Sequence, residues 1–130
     1  MQLQVLTPEA EALCTDVSSV NLQGCRGRLG ILESHTNFIS KLDFGVLEYT
    51  EAGKHYEMLC GSGIVEVNNN QVTVLVRSAE RNDDVNIDRA KEALQRAKSR
   101  LGSNDKEVNL ERAQDAQARA AQRLRFVGKL

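Results

Sequence analysis

Up to Val76 the apolar residues come in short alternating runs, whereas from Ile87 onward they recur every three or four positions. That change of period divides the chain into two parts. Gln2 to Leu6 reads as a short strand, and Leu13, Val17, Val20 and Leu22 stand in a stretch rich in Thr, Ser and Val. The clearest signal is VEVNNNQVTVLV. Val65 and Val67 flank polar Glu66, and Val72, Val74 and Val76 alternate with Thr73 and Leu75. Asn68-Asn69-Asn70 separates the two runs, and asparagine tolerates the positive φ of a tight turn, so the segment is a β-hairpin. Most of the glycines fall between residues 24 and 63 and mark many short connections. Short strands joined by turns predict a sandwich or barrel.

The second part reads IDRAKEALQRAKSRL, with Ile87, Ala90, Leu94, Ala97 and Leu101 on one helical face. Gly102-Ser103-Asn104-Asp105 breaks the pattern, and Gly102 suits a C-cap. A second helix starts after Asn109, a good N-cap, with Leu110, Ala113, Gln117, Ala120, Ala121 and Leu124 inward. The expected organisation is a β domain over 1–84 and a helical hairpin over 85–130. Faces of alanine let two helices approach closely but bury little apolar area, at about 25 cal/mol per Å². Such a hairpin is marginal alone, so it is expected to dock on something and to detach from it.

Composition narrows the classes. The chain has 130 residues, 41% of them hydrophobic, and no apolar run long enough to span a bilayer. The first residues, MQLQVLTPEAEAL, resemble neither a secretory signal nor a transit peptide, so the protein is expected to stay where it is made. Cys14, Cys25 and Cys60 lack CxxC spacing and read as reduced, mostly buried thiols, with no metal site. Residues 1–84 hold 6 Lys and Arg against 12 Asp and Glu, while 85–130 hold 11 against 6. An acidic unit thus precedes a basic one, and the two are expected to attract each other.

No phosphate-binding GxxxxGK[ST] loop and no GxSxG elbow is present, so catalysis is not supported. His35 and His55 stand apart from any cluster of metal-ligand form and read as surface or turn histidines. Of the five aromatic residues only Phe126 lies in the basic tail, so stacking platforms for nucleic acid are scarce and a nucleic-acid partner is not expected. Arg89, Arg96 and Arg100 share one helical face, and Arg112, Arg119 and Arg123 share another. The simplest account of these is a solvated cationic face.

Several segments together resemble one family. Gly27-Arg28-Leu29-Gly30-Ile31-Leu32-Glu33-Ser34-His35-Thr36 resembles the G-x-L-G-I-L-P-x-H-T/A segment of ATP synthase epsilon subunits. Gly61-Ser62-Gly63-Ile64-Val65-Glu66-Val67, with Val72-Thr73-Val74-Leu75 after the turn, is similar to the family's G-G-x-x-E-V and V-T-V-L. Ala79-Glu80 and two helices complete the order, so the similarity covers essentially the whole chain. Glu33 departs from the pattern by standing where the family usually has proline, which predicts a less rigid loop.

The resemblance implies an N-terminal β-sandwich of about ten short strands, an antiparallel two-helix hairpin, and no active site. It implies a central-stalk position, with the sandwich touching the gamma subunit and the c-ring. The membrane is then met only through the complex. The c-ring or gamma contact is expected at Arg28, Glu33, His35 and Thr36. The location implied is the cytoplasmic face of a bacterial inner membrane, or alternatively the stromal face of the thylakoid membrane. The hairpin is implied to extend among the catalytic alpha and beta subunits and to restrain hydrolysis. Some bacterial members bind ATP in the compact state through I/L-D-x-x-R-A. The matching segment here is Val85-Asn86-Ile87-Asp88-Arg89-Ala90, with asparagine where the motif has aspartate. Glu80, Arg96, Arg119 and Arg123 match elsewhere. ATP is therefore expected as a regulatory ligand of weakened affinity rather than an obligatory cofactor. The alternative from the residues alone is a stand-alone β-sandwich binding module with a helical tail.

Overall fold

The computed structural model describes residues 1–103 and 109–128; Asn104 and Asp105 of the expected helix break lie outside them. The chain forms two compact units, Met1–Arg81 and Asn82–Leu130.

The first unit holds ten strands: β1 (Gln2–Leu6), β2 (Glu11–Asp16), β3 (Ser19–Gly24), β4 (Gly27–Leu32), β5 (Phe38–Leu42), β6 (Gly45–Glu51), β7 (Lys54–Cys60), β8 (Gly63–Asn68), β9 (Gln71–Val76) and β10 (Ala79–Glu80). One ladder runs β10-β7-β6-β3 with β4 on the far edge of β3, and a second runs β5-β8-β9-β1-β2. They meet where Gly24 of β3 pairs with Leu42 of β5. Thr15 of β2 also donates its hydroxyl hydrogen to Glu51 of β6. The result is a nearly closed sandwich, as the alternating runs predict. All pairings are antiparallel except β1 with β9.

Alternation decides which side chains face inward. Leu3 and Val5 of β1, Val20 and Leu22 of β3, and Val65, Val67, Val72, Val74 and Val76 of the β8–β9 hairpin share one core with Leu47, Met58 and Ile31. β-branched side chains suit this pleated, half-buried surface. The hairpin turns at Asn69 and Asn70, with φ of 50° and 64°, the paired left-handed geometry that matches strand twist. Gly63 is required for a different reason. A Cβ there would stand 1.9 Å from the Leu75 carbonyl oxygen, so only glycine lets β8 lie this close to β9.

The second unit opens with a single 3-10 turn, Asn82–Asp84, followed by α1 (Ile87–Leu101) and α2 (Leu110–Phe126). The helices pack together through buried Ala90, Ala97, Ala113, Ala120 and Leu124. Asn82, ahead of α1, donates its side-chain amide to the carbonyl of Phe126 at the end of α2, 3.4 Å away. That bond sets the approach to α1 beside the end of α2, as in an antiparallel pair. Asn86 and Asn109 cap the two helices by accepting the N–H of Arg89 at 3.0 Å and of Arg112 at 3.1 Å.

Three expectations need correction. Leu110 is 54% exposed rather than inward. Helical side chains lean toward the N-terminus, so one in the first turn reaches past the packed face. Gly102 occupies the C-cap of α1 at φ −84°, a right-handed conformation open to any residue, so it makes no use of glycine's freedom. The thiols are not mostly buried: only Cys60 is, while Cys14 and Cys25 are exposed, since they sit on an outer strand face and in a turn.

Candidate functional site

The described residues offer three surfaces to a partner, two at opposite ends of the sandwich and one on the hairpin.

At one end, the β4–β5 loop carries Glu33, His35 and Thr36. Glu33 lies 3.5 Å from the amino group of Met1, which Asp16 also holds at 3.0 Å. The hydrogen bond to Asp16 is the main reason that amino group is held above its ordinary pKa. Ser34 adopts φ 62°, and its N–H donates to Asn70 Oδ1 at 2.9 Å. The N–H of Asn69 donates in turn to Asn37 Oδ1 at 2.9 Å. The loop is therefore tied at Ser34 and at Asn37 to the β8–β9 turn, although it has no proline. Between those ties the His35 ring leans on Phe38 with centroids 5.0 Å apart. Its Nδ1 lies 2.7 Å from the Thr36 carbonyl. A carbonyl only accepts, so Nδ1 carries a proton and donates it there.

Arg28 does not belong to this loop. It lies near the start of β4, and five residues of strand at about 3.3 Å each separate it from Glu33. Its Nη1 donates to the Val46 carbonyl at 2.7 Å, and its Nη2 lies 3.9 Å from Glu48. With Arg26 and Lys41 it rims a pocket of about 470 Å³ beside the β3–β4 turn. Adjoining this rim, on the outer face of the second ladder, is a groove of about 670 Å³. Its floor is a cross-strand row, with Leu75 opposite both Ile64 and Leu6 and Lys41 opposite Ile64. Ile64 and Leu75 remain 38% and 43% exposed, and Ile39 beside them is 69% exposed. Lys41 and Arg77 are the charged residues of the lining, so the groove is apolar with a cationic margin. The sequence shows Ile64 and Leu75 only as the outward half of an alternating hairpin; which strands flank them depends on topology.

The arginine set of the hairpin gains its meaning from a repeat. Asn86-Ile87-Asp88-Arg89-Ala90 in α1 matches Asn109-Leu110-Glu111-Arg112-Ala113 in α2. Arg96-Ala97 and Arg100-Leu101 likewise match Arg119-Ala120 and Arg123-Leu124. Comparing the helices with each other at this offset reveals the pattern without any structure. In each helix an arginine stands one position, about 100° of turn, before a buried alanine. Two antiparallel helices facing each other through equivalent positions are related by a two-fold axis across their plane. Arg89, Arg96, Arg112 and Arg119 therefore fall on the same edge of the hairpin, and all four are exposed. Asp88, Glu92, Glu111 and Asp115 stand two positions from those alanines, toward the back. Of the residues matched to the ATP motif, Val85 and Ala90 are buried, and the side-chain oxygen of Asn86 is taken by the helix cap. Within the motif the Asn86 amide donor and the exposed Arg89 guanidinium are left for a ligand. Glu80 belongs to β10 of the first unit.

Two family models match the chain. The beta-sandwich domain of the ATP synthase Delta/Epsilon chain covers residues 1–82, and its long alpha-helix domain covers 83–128. The ATP synthase epsilon chain of Nitratidesulfovibrio vulgaris is 42% identical over 101 residues, 78% of this chain and 75% of the relative. That of Carboxydothermus hydrogenoformans is 40% identical over 101 residues, with the same coverage of 78% and 75%. Among solved structures, a chain of the Euglena gracilis mitochondrial ATP synthase (OSCP/F1/c-ring) superposes with TM-score 0.71 at 20% identity, covering 98% of this chain and 76% of that one. A chain of the Tetrahymena thermophila mitochondrial ATP synthase central stalk and c-ring gives 0.70 at 18%, covering 98% and 96%. At those identities the structures show a shared fold.

Proposed function

The chain belongs to the Delta/Epsilon family of ATP synthase subunits, as an epsilon subunit of the F type, and on that premise we propose that it couples gamma to the c-ring and restrains ATP hydrolysis through its hairpin. It has no active site of its own in this reading and meets the membrane only through the complex. The polar β4–β5 loop and the cationic rim at Arg28 are the surfaces it offers to the c-ring and gamma. The groove over Leu6, Ile64 and Leu75 fits an apolar face of gamma. An apolar row this exposed on a sandwich whose core is already closed is the observation that carries the stalk role.

The hairpin is the regulatory part. It alternates between a compact and an extended placement, and in the extended one it wedges among the alpha and beta subunits and opposes rotation. The arginine edge supports this reading, since four exposed cations along one edge suit either acidic segments of those subunits or the phosphates of ATP. ATP held by the compact form would relieve inhibition when ATP is plentiful, because a ligand shifts an equilibrium only by binding one state better. The test is calorimetric titration of the full chain with ATP, with and without Mg²⁺, beside Arg119→Ala. Saturable binding that Arg119→Ala weakens about tenfold or more is expected, a charge-assisted bond being worth about 1.5–3 kcal/mol. No binding at millimolar ATP removes the sensor and leaves a stalk subunit governed by rotation and subunit contacts.

A further inference from the structure

The β4–β5 loop poses a mechanical question. A surface that transmits torque has to keep its shape, yet this loop has no proline, and its Ser34 sits at φ 62° without being glycine. One local turn bond, from the His35 N–H to the Leu32 carbonyl at 3.2 Å, closes the loop on itself. What ties that turn to the rest of the sandwich is a reciprocal pair of bonds to the β8–β9 turn. The turn lends the loop an acceptor, Asn70 Oδ1, for the N–H of Ser34 at 2.9 Å. The loop lends the turn an acceptor, Asn37 Oδ1, for the N–H of Asn69 at 2.9 Å. Asn37 Nδ2 reaches Asn68 Oδ1 at 3.4 Å. The carbonyl of Asn70 accepts the N–H of Gln2 at 3.2 Å, so the turn is itself anchored on β1. Neither Ser34 nor Asn69 has a strand partner for its N–H, and each bond satisfies a group that secondary structure leaves open.

We propose that Asn37 and Asn70 form a latch that positions the β4–β5 loop for its rotor partner through two side-chain bonds. This deepens the stalk reading and rests on it. The chemistry of the presented surface follows from the two ties. Ser34 and Asn37 are fixed, so His35 and Thr36 between them are held outward. Nδ1 of His35 is spent on the Thr36 carbonyl. The Nε2 edge of the ring is the one that faces a partner. Asn70 and Asn37 touch no partner in this account. They are positioning residues, and His35 and Thr36 make the contact.

The test separates backbone from side chain. Asn70→Gly keeps the left-handed φ of position 70 and removes only the acceptor, whereas Asn70→Asp restores an acceptor. Backbone amide exchange is measured by NMR on the full chain, and affinity is measured for a reconstituted gamma–c-ring rotor. Asn70→Gly should speed exchange at Ser34 at least tenfold, leave exchange in β3 and β6 unchanged, and weaken rotor binding at least fivefold. Asn70→Asp should return both toward wild type, and Asn37→Ala should reproduce the loss at Asn69. Unchanged Ser34 exchange in Asn70→Gly overturns the latch. Faster exchange with unchanged affinity overturns its positioning role while the stalk reading stands. A wild-type chain that does not bind the rotor overturns the stalk reading itself, a result distinguishable because it appears before any substitution.

Discussion

Asn86 stands at the aspartate position of the nucleotide motif, yet the structure gives it a structural task, and substitution can tell the two roles apart. Its Oδ1 accepts the N–H of Arg89 at 3.0 Å, while its backbone carbonyl accepts the N–H of Ala90 at 3.0 Å. Asn86→Ala removes the first bond only. Loss of such a cap costs about 1 kcal/mol, which is roughly a fivefold loss in the population of the first turn. Asn86→Asp keeps the acceptor, and a carboxylate near a helix N-terminus gains about 0.3–1 kcal/mol. Asp84 and Asp88, two residues away on either side, already place negative charge there and push the gain to the bottom of that range. Amide exchange at Arg89 and Ala90 reports the cap, and calorimetric titration with ATP reports the site. The cap account expects faster exchange and roughly fivefold weaker ATP binding for alanine, because Arg89 is then less well placed. It expects aspartate to bind within about twofold of wild type by the same arithmetic. Aspartate binding tenfold tighter with unchanged exchange would refute it and make position 86 a direct ligand.

Gly63→Ala forces a Cβ to 1.9 Å from the Leu75 carbonyl oxygen, so it should cost about 3 kcal/mol in urea unfolding. Gly53→Ala, at φ 78° with nothing within 4 Å, should cost about 1 kcal/mol; equal losses would mean that β8 yields freely. A thiol reagent at neutral pH should label Cys14 and Cys25 in the folded chain and Cys60 only after denaturation, and three fast thiols would contradict the burial. Burial pushes the Cys60 thiol up to about 12 from 9.0, so the unfolded thiol ionises first. The stability this group contributes is complete below pH 9 and is lost as pH rises toward 12, so the gap between wild type and Cys60→Ala in denaturant midpoint should narrow across that window. Ala97→Leu overfills the buried face of α1 and should destabilise the hairpin by about 1–3 kcal/mol in helical exchange protection, with exchange in the sandwich core unchanged.

Period and turn chemistry were enough to read the β8–β9 hairpin, both helices and the Asn109 N-cap, because each is set by residues within one turn or one strand of each other; Asn86 reads only as part of the nucleotide motif, and its cap bond to Arg89 shows in the structure. The inward set Ile87, Ala90, Leu94, Ala97 and Leu101 follows from spacing alone. The features that escaped depend on residues distant in sequence. Asn68-Asn69-Asn70 reads as a turn, but Asn70 also holds Ser34, which lies 36 positions away. Arg28 looks like part of the Glu33 loop because the intervening residues form a motif, whereas they form a strand that carries the two to opposite ends. The pairing of β1 with β9, which places Leu6 beside Leu75, is parallel and non-local, and no local pattern announces it. The repeat between α1 and α2 was present in the sequence all along; reading each helix separately conceals it.

The two units differ in what stabilises them, and the difference decides which one can carry a signal. The sandwich closes over valine, leucine, isoleucine and methionine drawn from both ladders. In the helices the buried residues are four alanines and Leu124. Alanine buries little beyond its backbone, so the hairpin's hold is within reach of a few weak interactions. About 1.4 kcal/mol shifts a two-state population tenfold, which is the scale of one helix cap or one charge-assisted bond to a phosphate. Replacing the alanine faces with leucine-rich ones would raise cohesion, and it would also put the equilibrium beyond what such a ligand can move. Small inward residues and an arginine edge therefore belong together. In the proposed regulation the first keep the hairpin's energy low enough to be switched and the second would let an anion do the switching, while the valine- and leucine-filled core holds the sandwich unchanged.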